Sequence, residues 1–274
     1  MHFLGKSTLQ ENGISGPAVA PLPPQRGNLT ELYDHYFEVV PADTPERLDQ
    51  VFLLRYQVYC VENPFENPAE HPDGRECDQY DSHSVHSLLI HRPTRALAGT
   101  VRIVLPQRGK ALPIAHVVDN PLLRDPRILP SRTTAEISRF AISKEFRRRA
   151  SDRLGADYAL LEGDTFPREL DRRVIPHLTL GLMKAIVQMS WDHGITHWSA
   201  VMEPALLRLI GRLGLHFNPL GPLVDYHGTR QPCYGKASDI LARMKNQQRD
   251  AWDLITDNGL YWGYEDVKAA DQVA

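Results

Sequence analysis

The stretch AEISRFAIS, residues 135–143, decides how this chain is read. In an extended strand, successive side chains point to opposite faces. Ideal alternation places Glu136, Ser138, Phe140 and Ile142 on one face and Ala135, Ile137, Arg139 and Ala141 on the other. Each face then mixes charged or polar groups with apolar ones, where a half-buried strand ordinarily segregates them. A β-bulge, one extra residue in the strand, would bring Glu136 and Arg139 toward the same side. The plainer alternative is an Arg–Glu pair closing a strand end.

Two further arginines stand in apolar settings. Arg102 interrupts the strand-like run AGTVRIVLP (98–106). Arg55 falls within the stripe Leu48, Val51, Phe52, Val58 and Tyr59, whose helical spacing builds one apolar face over PERLDQVFLLRYQVYCVE (45–62). Either its stem packs there and its head snorkels to the edge, or the stripe faces a partly polar cleft where Arg55 meets an acid. The segment ECDQYD (76–81) supplies Asp78 and Asp81 just before an apolar run. Three arginines (55, 102, 139) and three acids (78, 81, 136) nearly balance. A buried network of this kind is an expensive way to gain stability, so the concentration points to a functional site.

Around these segments the chain reads as a mixed α/β (α+β) domain. Thr44 caps the helix from Pro45, which sits at the first helical position, and the period runs to Glu62. A strand is predicted over residues 36–40, and SVHSLLIHR and ALAGTVRIVLP form an antiparallel pair joined near residues 93–95. A long Pro-rich irregular stretch leads to 135–143, and a basic, weakly periodic segment follows to about residue 173. A helix is expected over residues 174–194, with Pro176 near its start and Gly194 as its stop. A strand (ITHWSAVME), a short helix ended by Gly214, two short strands around His227–Gly228 and a helix capped by Ser238 complete the order. This excludes an all-α bundle and a regularly alternating barrel. Residues 1–28 read as a flexible N-terminal segment, 29–256 as a single domain with an insertion at about 143–173, and 257–274 as a C-terminal tail.

The chain has 274 residues, is 42% hydrophobic and 24% charged, and carries 31 Lys+Arg against 34 Asp+Glu, net −3. That balance gives no support to a nucleic-acid partner, and no apolar run is long enough for a transmembrane segment. Cys60, Cys77 and Cys233 fit neither a disulfide framework nor a zinc pattern, which points to a reducing, cytoplasmic setting. Gly194 separates His193 from His197, so no metal site is expected. His83 and His86, at a strand start, are expected to face solvent, and Tyr226 to belong to the core, with a place on a pocket wall as its alternative.

Taken together, LRYQVYCVE (54–62), ECDQYD, AGTVRIVLP and AEISRFAIS stand in the order and approximate spacing of the LuxI-type acyl-homoserine-lactone synthases. They also resemble the N-acyl amino acid synthases and the acyltransferases associated with exosortase (PEP-CTERM) systems. The resemblance spans roughly residues 36–236 and implies the GNAT acyltransferase fold. That is a mixed central sheet, splayed at its centre to admit a thioester donor and flanked by helices. By it, Arg55, Asp78, Asp81, Arg102, Glu136, Ser138 and Arg139 match the family's charged cleft residues, and Tyr59 takes an aromatic position. The family's tryptophan in the loop after the first helix is not evident in VENPFENPAEHPDGREC (61–77), which offers Phe65.

The resemblance implies amide formation between an acyl thioester and a small amine or amino acid. Glu136, Ser138 and Arg139 are the expected catalytic residues, with Glu136 as base. Arg55, Tyr59, Asp78, Asp81, Arg102 and Phe140 are expected at the substrates, the two aspartates binding the ammonium group or holding the arginines. In this fold, backbone amides at a Gly-rich helix start hold the pyrophosphate of coenzyme A. Here KEFRRRASDRLG (144–155) is rich in arginine and poor in glycine. An acyl carrier protein docking on Arg147, Arg148 and Arg149 is therefore expected, with acyl-CoA as the other donor and no tightly bound cofactor. The rival readings are lactone synthesis from S-adenosylmethionine, a non-catalytic acyl-binding module and an acetyl-CoA acetyltransferase.

Overall fold

The computed structural model describes residues 29–148 and 168–263. The expected N-terminal segment, Arg149 with most of the insertion, and the end of the expected tail lie outside the described residues.

Helix α1 (Leu29–Tyr36) leads directly into β1 (Phe37–Pro41). Thr44 then starts α2 (Pro45–Tyr56), its hydroxyl accepting from the N–H of Arg47 at 3.3 Å. From Gln57 to Glu62 the helix continues with π-type winding, a form that recurs at functional sites. The hairpin β2 (Ser84–His91) and β3 (Ala96–Val104) turns through Arg95, at φ 58°. After the Pro-rich stretch come β4 (Thr134–Ile142), α3 (Arg168–Asp192), β5 (His197–Met202) and α4 (Pro204–Arg212). The short β6 (Asn218–Pro219) and β7 (Val224–Asp225) both pair with β8 (Thr229–Lys236), and α5 (Ala237–Gln247) and α6 (Arg249–Thr256) close the described chain.

The eight strands form one mixed sheet in the order β1-β2-β3-β4-β5-β8-β6, with β7 beside β8. All neighbours are antiparallel except β4 and β5. That parallel pair runs in register only from Thr134↔His197 to Ile137↔Ala200, although both strands continue beyond it. The sheet therefore splays at its centre, as expected.

Alternation in β2 and β3 divides the sheet into two faces. Leu89, Val101, Ile103 and Ile137 pack with Leu178, Leu182 and Ile186 of α3 in the main core. Leu88 and Ile90 turn the other way and meet Val51 of α2. A side chain at Gly181 would collide with the Tyr33 hydroxyl and a Leu89 methyl, so only glycine lets α3 pass this close to α1 and β2.

Two boundaries differ from expectation. Helix α3 starts at Arg168, which places Pro176 in its interior rather than near its start. The single C-terminal helix is two: Gln248, at φ −141°, breaks it, and Lys236, not Ser238, stands at the cap position. The chain past Thr256 folds back, with the Trp262 ring 5.7 Å from that of Trp252.

Candidate active site

On the face covered by α2, the sheet register sets three polar residues in a row, His86↔Arg102↔Ser138. Two pairs further along, on the same face, Val104↔Glu136↔Ser199 carries the line to β5. Arg139 joins this side through the expected bulge. Between Thr100↔Ala141 and Arg102↔Ser138, β3 spends one residue and β4 two. Arg139 takes the left-handed conformation there, at φ 48°. Such backbone costs roughly 1–3 kcal/mol in a non-glycine residue and persists where surrounding contacts hold it.

Those contacts are acids. Arg139 Nη2 lies 2.8 Å from Glu76 Oε1 and 3.2 Å from both Glu66 Oε1 and Asp78 Oδ2. Arg55 is fully buried; its Nε donates to Glu76 Oε2 at 2.5 Å and its Nη1 to Asp81 Oδ1 at 2.7 Å. Arg102 Nη1 donates to Asp78 Oδ1 at 2.6 Å and Asp81 Oδ1 at 2.7 Å, while its Nε donates to Ser138 Oγ at 2.9 Å. The backbone N–H of Tyr80 occupies Asp78 Oδ1 as well, and that of Asp78 occupies Asp81 Oδ2. Of the two readings of Arg55, the structure shows the one in which it meets acids, its head fully buried rather than snorkelled to the edge.

The charges follow from this packing. Burial pushes the Glu76 carboxyl up, but hydrogen bonds from Arg55 and Arg139 outweigh it and bring its pKa down to about 2. Asp81 is lowered in the same way by Arg55 and Arg102. The guanidiniums of Arg55 and Arg139 are held above their ordinary range, the acids overcoming the cost of burial. The Tyr59 ring lies 5.5 Å beneath the Arg139 guanidinium, and burial pushes its phenol up to about 12.

Glu136 differs from the other acids. Among the described residues it has no arginine within salt-bridge distance; its Oε2 accepts from the backbone N–H of Ile114 at 2.7 Å. Burial pushes its carboxyl up to about 8, against that hydrogen bond and the charges of Arg102 and Arg139. A carboxyl tuned to this range serves proton transfer near neutral pH.

The remaining sequence candidates are placed as follows. Phe140, the second residue of the bulge, packs half-buried on the main core instead of joining the charged cluster. Arg147 is half-buried and Arg148 exposed, in a helical turn after β4. The first amides of that turn are already engaged. Glu62 accepts from the N–H of Lys144 at 2.8 Å and of Glu145 at 3.2 Å, and Ser143 Oγ accepts from that of Phe146 at 3.0 Å. Phe65 stacks its ring 5.3 Å from the Arg230 guanidinium, and its carbonyl lies 2.8 Å from His227 Nδ1. Among the described residues, no group of three His, Cys, Asp or Glu could hold a metal, and no helix is long and apolar enough to cross a membrane.

Two expectations fail. His86 is not at the surface but 4% exposed, 3.5 Å from Asp81 Oδ1, and burial lowers its pKa to about 4, leaving it neutral. Tyr226 is not core but 42% exposed, at the tip of the β7–β8 hairpin. Glu76, the hub of the network, is absent from the sequence candidates. Its available signal is position: two residues before Asp78, on the side an extended chain shares with it.

Alongside the network, a cleft of ≈ 680 Å³ is lined by Phe52, Asp78, Asp81, Ser84 and His86, with Met189 of α3 also on its wall. Glu136 is not part of its lining.

Residues 54–155 match the family model for the acetyltransferase (GNAT) domain. Among solved structures, TofI in a ternary complex with an inhibitor and MTA aligns with a TM-score of 0.52 and 20% identity, covering 80% of this chain and 97% of that one. BjaI, a CoA-dependent acyl-homoserine lactone synthase solved with SAM and isopentyl-CoA, aligns with a TM-score of 0.48 and 21% identity, covering 81% and 88%. FeeM, an N-acyl amino acid synthase from uncultured soil microbes, aligns with a TM-score of 0.49 and 14% identity, covering 78% and 97%. No curated protein matches the chain by sequence.

Proposed function

We propose that this GNAT-fold acyltransferase moves a fatty acyl group from a thioester, carried on acyl carrier protein or coenzyme A, to the amine of an amino acid, giving an N-acyl amide. The observation that carries this reading is Glu136, a buried carboxyl at about 8 beside the point where β4 and β5 part.

Amide formation from a thioester requires a neutral amine, a fixed carbonyl and a stabilised oxyanion. The thioester enters the gap between β4 and β5 beyond Ile137↔Ala200. The acceptor nitrogen attacks the carbonyl carbon, and Glu136 takes a proton from that nitrogen directly or through a water. Backbone N–H groups freed at the bulge stabilise the oxyanion. Its collapse re-forms the carbonyl and breaks the C–S bond, and the departing thiolate takes up the proton that Glu136 received, directly or through a water. Arg55, Arg102 and Arg139 keep the acid cluster and Ser138 in place. Every oxygen of Asp78 and Asp81 already has a partner, which favours arginine support over ammonium binding for these two acids.

For the donor, two observations favour the carrier protein. The Gly-rich turn is missing after β4, and the amides of Lys144 and Glu145 at the helix start are occupied by Glu62. A pyrophosphate would compete there with a fixed carboxylate, whereas carrier-bound phosphopantetheine has no pyrophosphate. An acidic carrier then docks on Arg147, Arg148 and Arg149.

Incubation with acyl carrier protein or CoA thioesters, together with either an amino acid mixture or S-adenosylmethionine, tests the reading by product mass. N-acyl amino acids support it. An acyl lactone moves the chain to autoinducer synthesis, and acyl binding without product leaves only a binding module.

A further inference from the structure

Ser199 stands directly beside Glu136. The two are Cα partners in the parallel ladder, one pair before β4 and β5 separate. Partners in register project to the same face, with backbones about 4.8 Å apart. The flanking residues Trp198 and Ala200 belong to the main core on the opposite face, so Ser199 faces the Glu136 side. Ser199 is fully buried, and its hydroxyl has no hydrogen-bond partner among the described residues. A buried hydroxyl without a partner is destabilising, and alanine would fill the backbone position without that cost. Among the described residues, the one hydrogen bond to the Glu136 carboxyl is that from the Ile114 N–H to Oε2.

We propose that Ser199 is a positioning residue for Glu136: its hydroxyl donates to the carboxylate when Glu136 is ionised and orients it for proton transfer. The inference rests on Glu136 acting as the base. The bond is stronger to the charged state than to the protonated acid, whose neutral carbonyl oxygen is the weaker acceptor. It therefore favours ionisation and draws the base toward working pH. The other groups bearing on Glu136 are Arg102 from β3, Arg139 from β4 and Asp78 from the preceding loop; Cys233 of β8 and Tyr226 of the hairpin tip in turn feel its charge. Ser199 is uncharged and alters none of them.

The test compares Ser199→Ala and Ser199→Thr with the wild type and Glu136→Gln, measuring kcat, KM for the thioester and the pH profile of turnover. Ser199→Ala should lower kcat by about tenfold at neutral pH, leave KM near its original value and move the ascending pH limb upward by about half a unit or more. Ser199→Thr, which keeps the hydroxyl, should restore the limb, and circular dichroism and Tm confirm that both variants fold. An unshifted limb with unchanged kcat in folded Ser199→Ala overturns the inference while leaving Glu136 as base. Wild-type turnover by Glu136→Gln overturns the base itself, and the inference with it.

Discussion

Arg139 and Glu76 meet at 2.8 Å across 63 residues of chain, and Arg55 approaches the same carboxylate from α2 at 2.5 Å. One acid thus fastens the bulged strand to the helix. Removing it takes a carboxylate from the fully buried Arg55 and the half-buried Arg139, and breaking a buried pair on one side costs about 3–5 kcal/mol. Glu76→Ala should lose stability in that range by urea unfolding. Its carboxyl is lowered in the fold to about 2 from an ordinary 4.5. The native state therefore binds fewer protons, and the stabilisation is present above pH 4.5 and lost as pH falls toward 2. Wild-type stability should fall over that window by roughly 3 kcal/mol more than that of Glu76→Gln. Parallel pH dependences in the two proteins would remove Glu76 as the hub.

Glu136 carries the opposite sign. Its carboxyl is raised from 4.5 to about 8, so the native state holds a proton that the unfolded chain gives up. The group destabilises the fold progressively as pH rises from 4.5 to 8 and no further above that. Glu136→Gln should be more stable than wild type at pH 8.5, by on the order of a few kcal/mol, with the gap closing at pH 4.5. Turnover should be abolished in the same variant, and wild-type turnover should climb with pH through about 8. A variant equally stable at both pH values would mean that Glu136 is not held protonated by burial.

The sequence shows the elements of this site better than its wiring. Thr44 and Pro45 mark the start of α2 because capping is local chemistry. The mixed faces of AEISRFAIS expose the bulge because alternation is a property of single strands. Arg55 reads as anomalous because one cation in an apolar stripe violates helix periodicity. Glu76 does not stand out, since an acid in a loop breaks no local rule; only the convergence of α2 and β4 makes it buried. His86 misleads for the same reason: it flanks a strand start, and its burial comes from Phe52 and the loop acids packing over it. Ser199 lies in an unremarkable strand, and its position matters only through the register with β4.

The proposed carrier docking can be tested apart from catalysis by charge. Arg147→Glu, Arg148→Glu and Arg149→Glu combined should raise KM for acyl carrier protein by about tenfold or more, since reversing several rim charges acts mainly on association and its salt dependence. Turnover of a short acyl-pantetheine thioester, which has no carrier protein, should be unaffected. Unchanged carrier-dependent kinetics across low and physiological salt would show that this segment does not meet the carrier.

Glu62 offers a second test of the proposed donor. Its two oxygens accept from the backbone N–H groups of Lys144 and Glu145, while Lys144 Nζ reaches back to the Glu62 carbonyl at 2.9 Å. A carboxylate at a helix start satisfies donors that an external anion would otherwise use. Glu62→Gln removes the charge while keeping one acceptor oxygen, and Glu62→Ala removes both acceptors. If the seat is what bars coenzyme A, kcat/KM for acyl-CoA should rise in both variants, about tenfold and more in Ala, because a diphosphate no longer competes with a tethered anion. Acyl carrier protein, which has no pyrophosphate to place, should change by less than about threefold, within the modest effect of losing a helix cap. The ratio of the two donors is the informative quantity, since a general loss of stability lowers both together. A ratio that stays constant would assign Glu62 to the local fold alone.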